Sequence, residues 1–237
     1  MIGPVIGPVI GPVIGMAPVN PIRVRRVQSA VLIPVKAFHA AKARLRGHVP
    51  DADRARLARW MAERVLDATM DLPTFVACDN DEVASWASAR GATVLWGPGL
   101  GLNGAIDQGV VTIGGLGFDH VTIAHGDLPL PAGIAAVDRA ARLLGGGSGG
   151  VVLVPDRRCD GTNVQSRPCS TDLPASYGAA SFSAHLAQSL ASGLPVAVRF
   201  DERLSLDIDT VDDCRHPLVA RLLEPMLLPR LSAGLLV

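Results

Sequence analysis

Ala30-Val31-Leu32-Ile33-Pro34-Val35, with the basic loop Lys36-Ala37-Phe38-His39-Ala40-Ala41-Lys42-Ala43-Arg44-Leu45 directly behind it, is the stretch on which the fold turns. The apolar run is short and unbroken, the pattern of a strand buried on both faces. Working outward, the same unit recurs. Asp51 reads as a helix cap, and residues 52–70 carry Leu57, Trp60, Met61, Val65 and Leu66 at helical spacing. Phe75–Cys78 reads as a strand and 81–90 as a helix. Thr93–Trp96 is a strand, followed by a Gly-rich loop and a helix from about Asn103. Val121–Ala124 precedes a helix over 132–144, and Gly145–Gly150 is a connector. Val151–Val154 is a strand, followed by a long loop and a helix near 181–192. Val196–Val198 is the last clear strand, and a final helix covers 211–223. Strands alternating with helices predict one α/β domain, a mostly parallel, mixed sheet with helices on both faces. Ligands of such sheets sit beyond the carboxyl ends of the strands, which singles out the loops at 36–46, 97–103, 125–129, 155–163 and 207–209.

The 237 residues suit one such domain with a sizeable core, and a hydrophobic content of 49% excludes disorder over most of it. Lysine plus arginine balance aspartate plus glutamate at 22 each, which argues against a broad nucleic-acid surface while leaving room for a basic pocket. Cys78, Cys159, Cys169 and Cys214 form no Cys-x-x-Cys pair and read as scattered reduced thiols of a cytoplasmic protein. The first residues repeat Ile-Gly-Pro-Val up to Gly15. Prolines at that density forbid a membrane-spanning helix, and the segment lacks the basic start of a secretion signal. The division expected is a disordered low-complexity tail over 1–25, the domain over 26–225 and a C-terminal tail over 226–237. Met16 is an alternative start. The apolar C-terminal end either packs on a second copy, as in a homodimer, or finishes the core.

The loops carry the chemistry. Lys36, Lys42 and Arg44 place three cations on one loop behind a buried strand, the charge a triphosphate needs. A solvated basic loop is the plainer reading. Gly-x-x-x-x-Gly-Lys is absent, so this is not a P-loop. Gly97-Pro98-Gly99-Leu100-Gly101-Leu102-Asn103 lets backbone approach the base and sugar of a nucleotide, with Gly101 and Asn103 as contacts. Asn103 also suits a helix cap. Asp127, in His125-Gly126-Asp127-Leu128-Pro129, follows a central strand where nucleotide-bound magnesium would lie, unless it merely starts a turn. Asp207 and Asp209 share a face of the extended Leu206-Asp207-Ile208-Asp209-Thr210. Asp207 is the expected second metal ligand. Asp209 supports it or caps the next helix. Thr162, Gly178 and Ser181 offer hydroxyls and an accessible amide to a small anion, or serve turns and caps.

In this order, Ile33-Pro34-Val35-Lys36, Ala41-Lys42-Ala43-Arg44-Leu45, Gly101-Leu102-Asn103, Gly126-Asp127-Leu128-Pro129, Asp160-Gly161-Thr162-Asn163, Tyr177-Gly178-Ala179-Ala180-Ser181-Phe182 and Asp207-Ile208-Asp209-Thr210 resemble the guanylyltransferases of coenzyme F-420 biosynthesis. The resemblance spans residues 31 to 213. It departs at Tyr177, where phenylalanine is frequent, and in the repeated tail. It implies a nucleotidyltransferase fold and the joining of GMP from GTP to a small phosphorylated acid, with magnesium as cofactor and pyrophosphate as product. By motif, Asp127 and Asp207 would hold magnesium. Thr162, Gly178 and Ser181 would hold the acceptor, and Lys36, Lys42 and Arg44 would face the phosphates. Phosphoenolpyruvate is the expected acceptor, since the Ala- and Arg-rich composition points to a GC-rich bacterial genome. The alternatives are 2-phospho-L-lactate and 3-phosphoglycerate. Two other readings compete: a sugar-phosphate nucleotidyltransferase or glycosyltransferase of the same fold, and a nucleotide-binding protein without catalysis. The absence of glycine from Lys36–Lys42 weighs against the first, and the retained Asp127 and Asp207 weigh against the second.

Overall fold

The structure, a computed structural model, describes residues 28–227. The tail expected over 1–25 and nearly all of the one expected over 226–237 lie outside the described residues. A seven-stranded sheet runs through them in the order β3-β2-β1-β4-β6-β5-β7. Its strands are β1 (Ser29–Pro34), β2 (Thr74–Cys78), β3 (Thr93–Trp96), β4 (His120–Ala124), β5 (Val151–Pro155), β6 (Thr162–Pro168) and β7 (Val196–Val198). The helices are α1 (Asp51–Asp67), α2 (Asp81–Ala89), α3 (Gly101–Gly115), α4 (Ile134–Gly147), α5 (Ser181–Ala191), α6 (Val211–Cys214) and α7 (Pro217–Leu227). Two single 3-10 turns, Phe38–Ala40 and Ala43–Leu45, shape the loop after β1.

β1 is central because both of its faces are apolar. Val31 and Ile33 join a core with Ala58 and Ala62 of α1, Val83 of α2 and Val137 of α4. Ala30 and Leu32 face the other way, against Ile106, Val110 and Ile113 of α3. A Cβ on Gly109 would lie 2.8 Å from a Leu32 methyl, so glycine there lets α3 lie close against the sheet. A separate cluster joins Leu57 and Met61 of α1 to Leu206, Ile208, Cys214, Val219 and Leu223. It anchors the extended segment 206–209 beside the sheet edge. All four cysteines are free thiols. Among the described residues no helix is long and apolar enough to cross a membrane.

Several expectations need correction. The long loop after β5 contains a full strand, β6, antiparallel to both β4 and β5. Its sequence, Thr162-Asn163-Val164-Gln165-Ser166-Arg167-Pro168, is almost entirely polar, which hid it. The structure nevertheless buries all but the last residue, because several of its polar groups find partners within the fold. Thr122 and Ser166 share a 2.8 Å hydrogen bond, and the Asn163 amide donates to the Leu204 carbonyl at 2.9 Å. The final helix is two helices, broken before Pro217, which is tolerated in the first turn of α7. Asp51 is the first residue of α1, after an uncapping Pro50. Asn103 lies within α3, which begins at Gly101. Thr210, not Asp209, caps α6, in a reciprocal box with Asp213.

Candidate active site

The carboxyl ends of β1, β2, β3 and β4 all open on one edge of the sheet. β6 runs the other way, so its first residue, Thr162, reaches that same edge. A cavity of about 500 Å³ lies there, lined by Lys36, Lys42, Asp79, Gly97, Gly101, Leu102, His125, Gly126, Asp127 and Asp209, among others. Of the residues expected from sequence, Lys36, Lys42, Gly101, Asp127 and Asp209 line it.

Its electrostatic centre is Lys42. The ammonium donates to Asp127 at 2.8 Å and to Asp209 at 2.9 Å, and only 5% of the side chain is exposed. Burial alone would lower the Lys42 pKa, but the two carboxylates override it and hold the group well above the usual lysine range. In Asp127, burial pushes the carboxyl up and Lys42 more than reverses this, so it stays ionised. Arg44 pairs with Asp209 at 3.1 Å from an exposed position. Lys42 itself adopts a left-handed backbone, φ 55° and ψ 43°. For a residue with a side chain this costs about 1 kcal/mol, so surrounding contacts must hold it.

Asp207 completes an acidic triad: one ligand atom from each of Asp127, Asp207 and Asp209 lies within 4.8 Å of the others. Leu206 and Ile208, buried in the α1–α7 cluster, fix this segment so that the alternating acids share its other face. Asp207 Oδ1 is buried with no hydrogen-bond partner among the described residues. Burial, then the charges of Asp127 and Asp209, push its pKa up to about 7. An orphaned carboxylate oxygen among converging acids fits a hard divalent cation, which takes oxygen ligands.

The sign of this shift gives a test. The folded state keeps the Asp207 proton to about pH 7, whereas the unfolded chain releases it near the ordinary carboxylate value. Metal-free stability therefore falls as pH rises through that window. Asp207→Asn removes the penalty and should stabilise the metal-free protein above pH 7 by up to about 4 kcal/mol, with little gain near pH 4. Urea unfolding in chelator at several pH values measures this, and a gain independent of pH would contradict it.

Thr162, Gly178 and Ser181 come together at the start of α5 without lining the cavity. The Ser181 hydroxyl accepts the Thr162 amide at 3.1 Å, and the Thr162 hydroxyl meets His185 Nδ1 at 3.0 Å. Gly178 is exposed, at φ 138°. Asn103 reaches across to this loop: its oxygen accepts the Tyr177 amide at 2.8 Å and its nitrogen donates to the Tyr177 carbonyl at 3.1 Å. Asn103 thus pins the loop that carries Gly178. The Tyr177 ring packs on His125, 4.8 Å between centroids, so one wall separates this loop from the cavity.

Two further residues were not singled out from sequence. Asp213, fully buried, collects Arg157, Arg158, the Thr210 hydroxyl and the backbone amides of Asp209 and Thr210. It locks the end of the acidic segment. Its legible signal was the spacing of Thr210 and Asp213, a capping box. Arg54, on α1, is 1% exposed and donates to the carbonyls behind Lys42. Its signal was a cation in phase with the apolar stripe Leu57, Met61 and Val65.

Residues 29–219 match the family model described as "Guanylyl transferase CofC like". Phosphoenolpyruvate guanylyltransferase of Sphaerobacter thermophilus is 34% identical over 188 residues, covering 77% of this chain and 88% of that protein. 2-phospho-L-lactate guanylyltransferase of Methanothermobacter thermautotrophicus is 31% identical over 192 residues, covering 79% and 82%. Among solved structures, a cytidylyltransferase from Leptospira borgpetersenii serovar Hardjo-bovis superposes with a TM-score of 0.55 at 18% identity, over 89% of this chain and 92% of that one. That likeness supports the nucleotidyltransferase fold alone. The family match and the relatives carry the rest: the chain belongs to the CofC-like guanylyl transferase family and is a nucleotidyltransferase.

Proposed function

We propose that the chain transfers GMP from GTP to phosphoenolpyruvate and releases pyrophosphate. The observation that carries the reading is the buried Lys42 ammonium held between Asp127 and Asp209 on the wall of the cavity, with Asp207 as the third acid. Lys36 and Lys42 are the chain's only lysines, against twenty arginines. A chain that uses arginine everywhere else keeps the compact ammonium at these two places, where it can meet phosphate oxygens as a point charge.

In this reading Gly97–Gly101 and Leu102 pack against the base and sugar of GTP. Lys36, Lys42 and Arg44 face its phosphates. Asp127 and Asp207, supported by Asp209, are the ligands for magnesium, which when bound would neutralise phosphate charge and stabilise the leaving pyrophosphate. Thr162, Gly178 and Ser181, beside the His125–Tyr177 pair, hold the acceptor acid with its phosphate turned toward the cavity. An acceptor phosphate oxygen attacks the α-phosphorus, and the bond to the bridging oxygen of pyrophosphate breaks. The attacking phosphate is already ionised, so no side chain has to remove a proton. What the residues supply is position and positive charge.

Pyrophosphate release from GTP and magnesium, with phosphoenolpyruvate, 2-phospho-L-lactate and 3-phosphoglycerate supplied separately, tests this. Release is expected with phosphoenolpyruvate. Release only with another acid moves the acceptor, and GTP binding with no release from any of them would overturn the reading.

A further inference from the structure

Arg54 has no place in the chemistry just described, yet it is among the largest side chains that the fold buries completely. It sits in the first turns of α1 and points back under the loop after β1. One terminal nitrogen donates to the Ala41 carbonyl at 2.9 Å and reaches the Lys42 carbonyl at 3.5 Å. The other is fixed by Asp51 at 2.6 Å, one turn earlier on the same helix. Burying a guanidinium is costly unless it is hydrogen-bonded. Here the two terminal nitrogens are bonded, one of them to the two carbonyls that flank the α-carbon of Lys42, while the buried Nε has no partner among the described residues. That residue is left-handed, and its ammonium lies on Asp127 and Asp209. A lysine in this backbone state relaxes when its carbonyls are released.

We propose that Arg54 is a positioning residue: by gripping the Ala41 and Lys42 carbonyls it holds the left-handed turn that delivers the Lys42 ammonium into the acidic triad. The helix thereby sets the site lysine from behind. A misplacement of about 1 Å is enough to cost on the order of a hundredfold in rate. The kinetic part of this proposal rests on the guanylyl-transfer reading, whereas the geometric part does not.

The geometric part is tested without substrate. The full-length protein is treated with an amine-acylating ester, and modification of Lys42 relative to Lys36 is read by peptide mass spectrometry. Lys36 is the exposed internal reference, and Lys42 should be strongly protected in the wild type. In Arg54→Met the Lys42-to-Lys36 ratio should rise severalfold. An unchanged ratio in folded Arg54→Met overturns the proposal, whatever the enzyme's substrate. The kinetic part is a double-mutant cycle. Arg54→Met alone should lower kcat by about a hundredfold, but in a Lys42→Met background it should cost nothing further. Losses that multiply would show that Arg54 acts elsewhere, as a merely structural residue would. If Arg54→Met does not fold, Arg54→Lys replaces it, since it keeps one cationic donor for the same carbonyls. A partial rise in Lys42 labelling at wild-type melting temperature is then expected, and wild-type labelling together with wild-type kcat overturns the proposal.

Discussion

Asp127→Asn should lower kcat by about a thousandfold or more while the melting temperature and circular dichroism stay close to wild type. The substitution keeps the shape of the side chain and one acceptor oxygen but removes the charge. Two functions are lost together. The divalent cation of the proposed reading would lose one of the three carboxylates that converge within 4.8 Å, and Lys42 loses one of its two carboxylate anchors. Removing one group that stabilises charge developing in a transition state costs about a hundred- to a thousandfold. In the proposed reading Asp127 would serve both the cation and the lysine, so the larger figure applies. The fold tolerates the change because the ammonium keeps Asp209, and because Leu128 behind the loop stays buried in the main core. Pyrophosphate release at saturating GTP, magnesium and acceptor measures it. A variant with near-normal kcat would remove Asp127 from the mechanism.

The parts of this molecule legible in sequence are those where one chemical pattern maps onto one element. β1, β2, β4 and β5 are buried on both faces and read as short, mostly apolar runs. The carboxyl ends of β1, β3 and β4 place Lys36, the Gly97–Gly101 loop and Asp127 at one edge, so the neighbourhood of the site followed from the alternation. β6 was illegible because its strand character comes from tertiary pairing of Thr162, Asn163, Gln165 and Ser166, not from hydropathy. Asn103 was read as a cap or a base contact, since either is local. Its partnership with Tyr177 joins residues 74 apart in the chain. The same holds for Lys42. Charge and position suggested a phosphate ligand, but only the folded chain shows the ammonium between two carboxylates. Sequence shows which charges exist, and long-range contacts decide which of them neutralise one another.

Lys42→Met should separate catalysis from cation binding with effects of opposite sign. Turnover should fall by about a thousandfold, because the ammonium that the proposed reading sets against the phosphates is gone and methionine supplies only volume. Lys42→Arg should not restore it, since a planar fork cannot take the place of a point donor 2.8 and 2.9 Å from two carboxylates. Magnesium binding should nevertheless tighten. In the wild type the ammonium already neutralises Asp127 and Asp209, so a divalent cation must share or displace that charge. Without it three acids face one another, and their repulsion weakens the metal-free fold. A ligand that binds only the folded state raises stability according to its affinity. The magnesium-induced rise in melting temperature should therefore be larger in Lys42→Met than in wild type, from a lower metal-free starting point. A variant that had simply lost its site would show a smaller rise, and that result would contradict the placement of Lys42 inside the acidic triad.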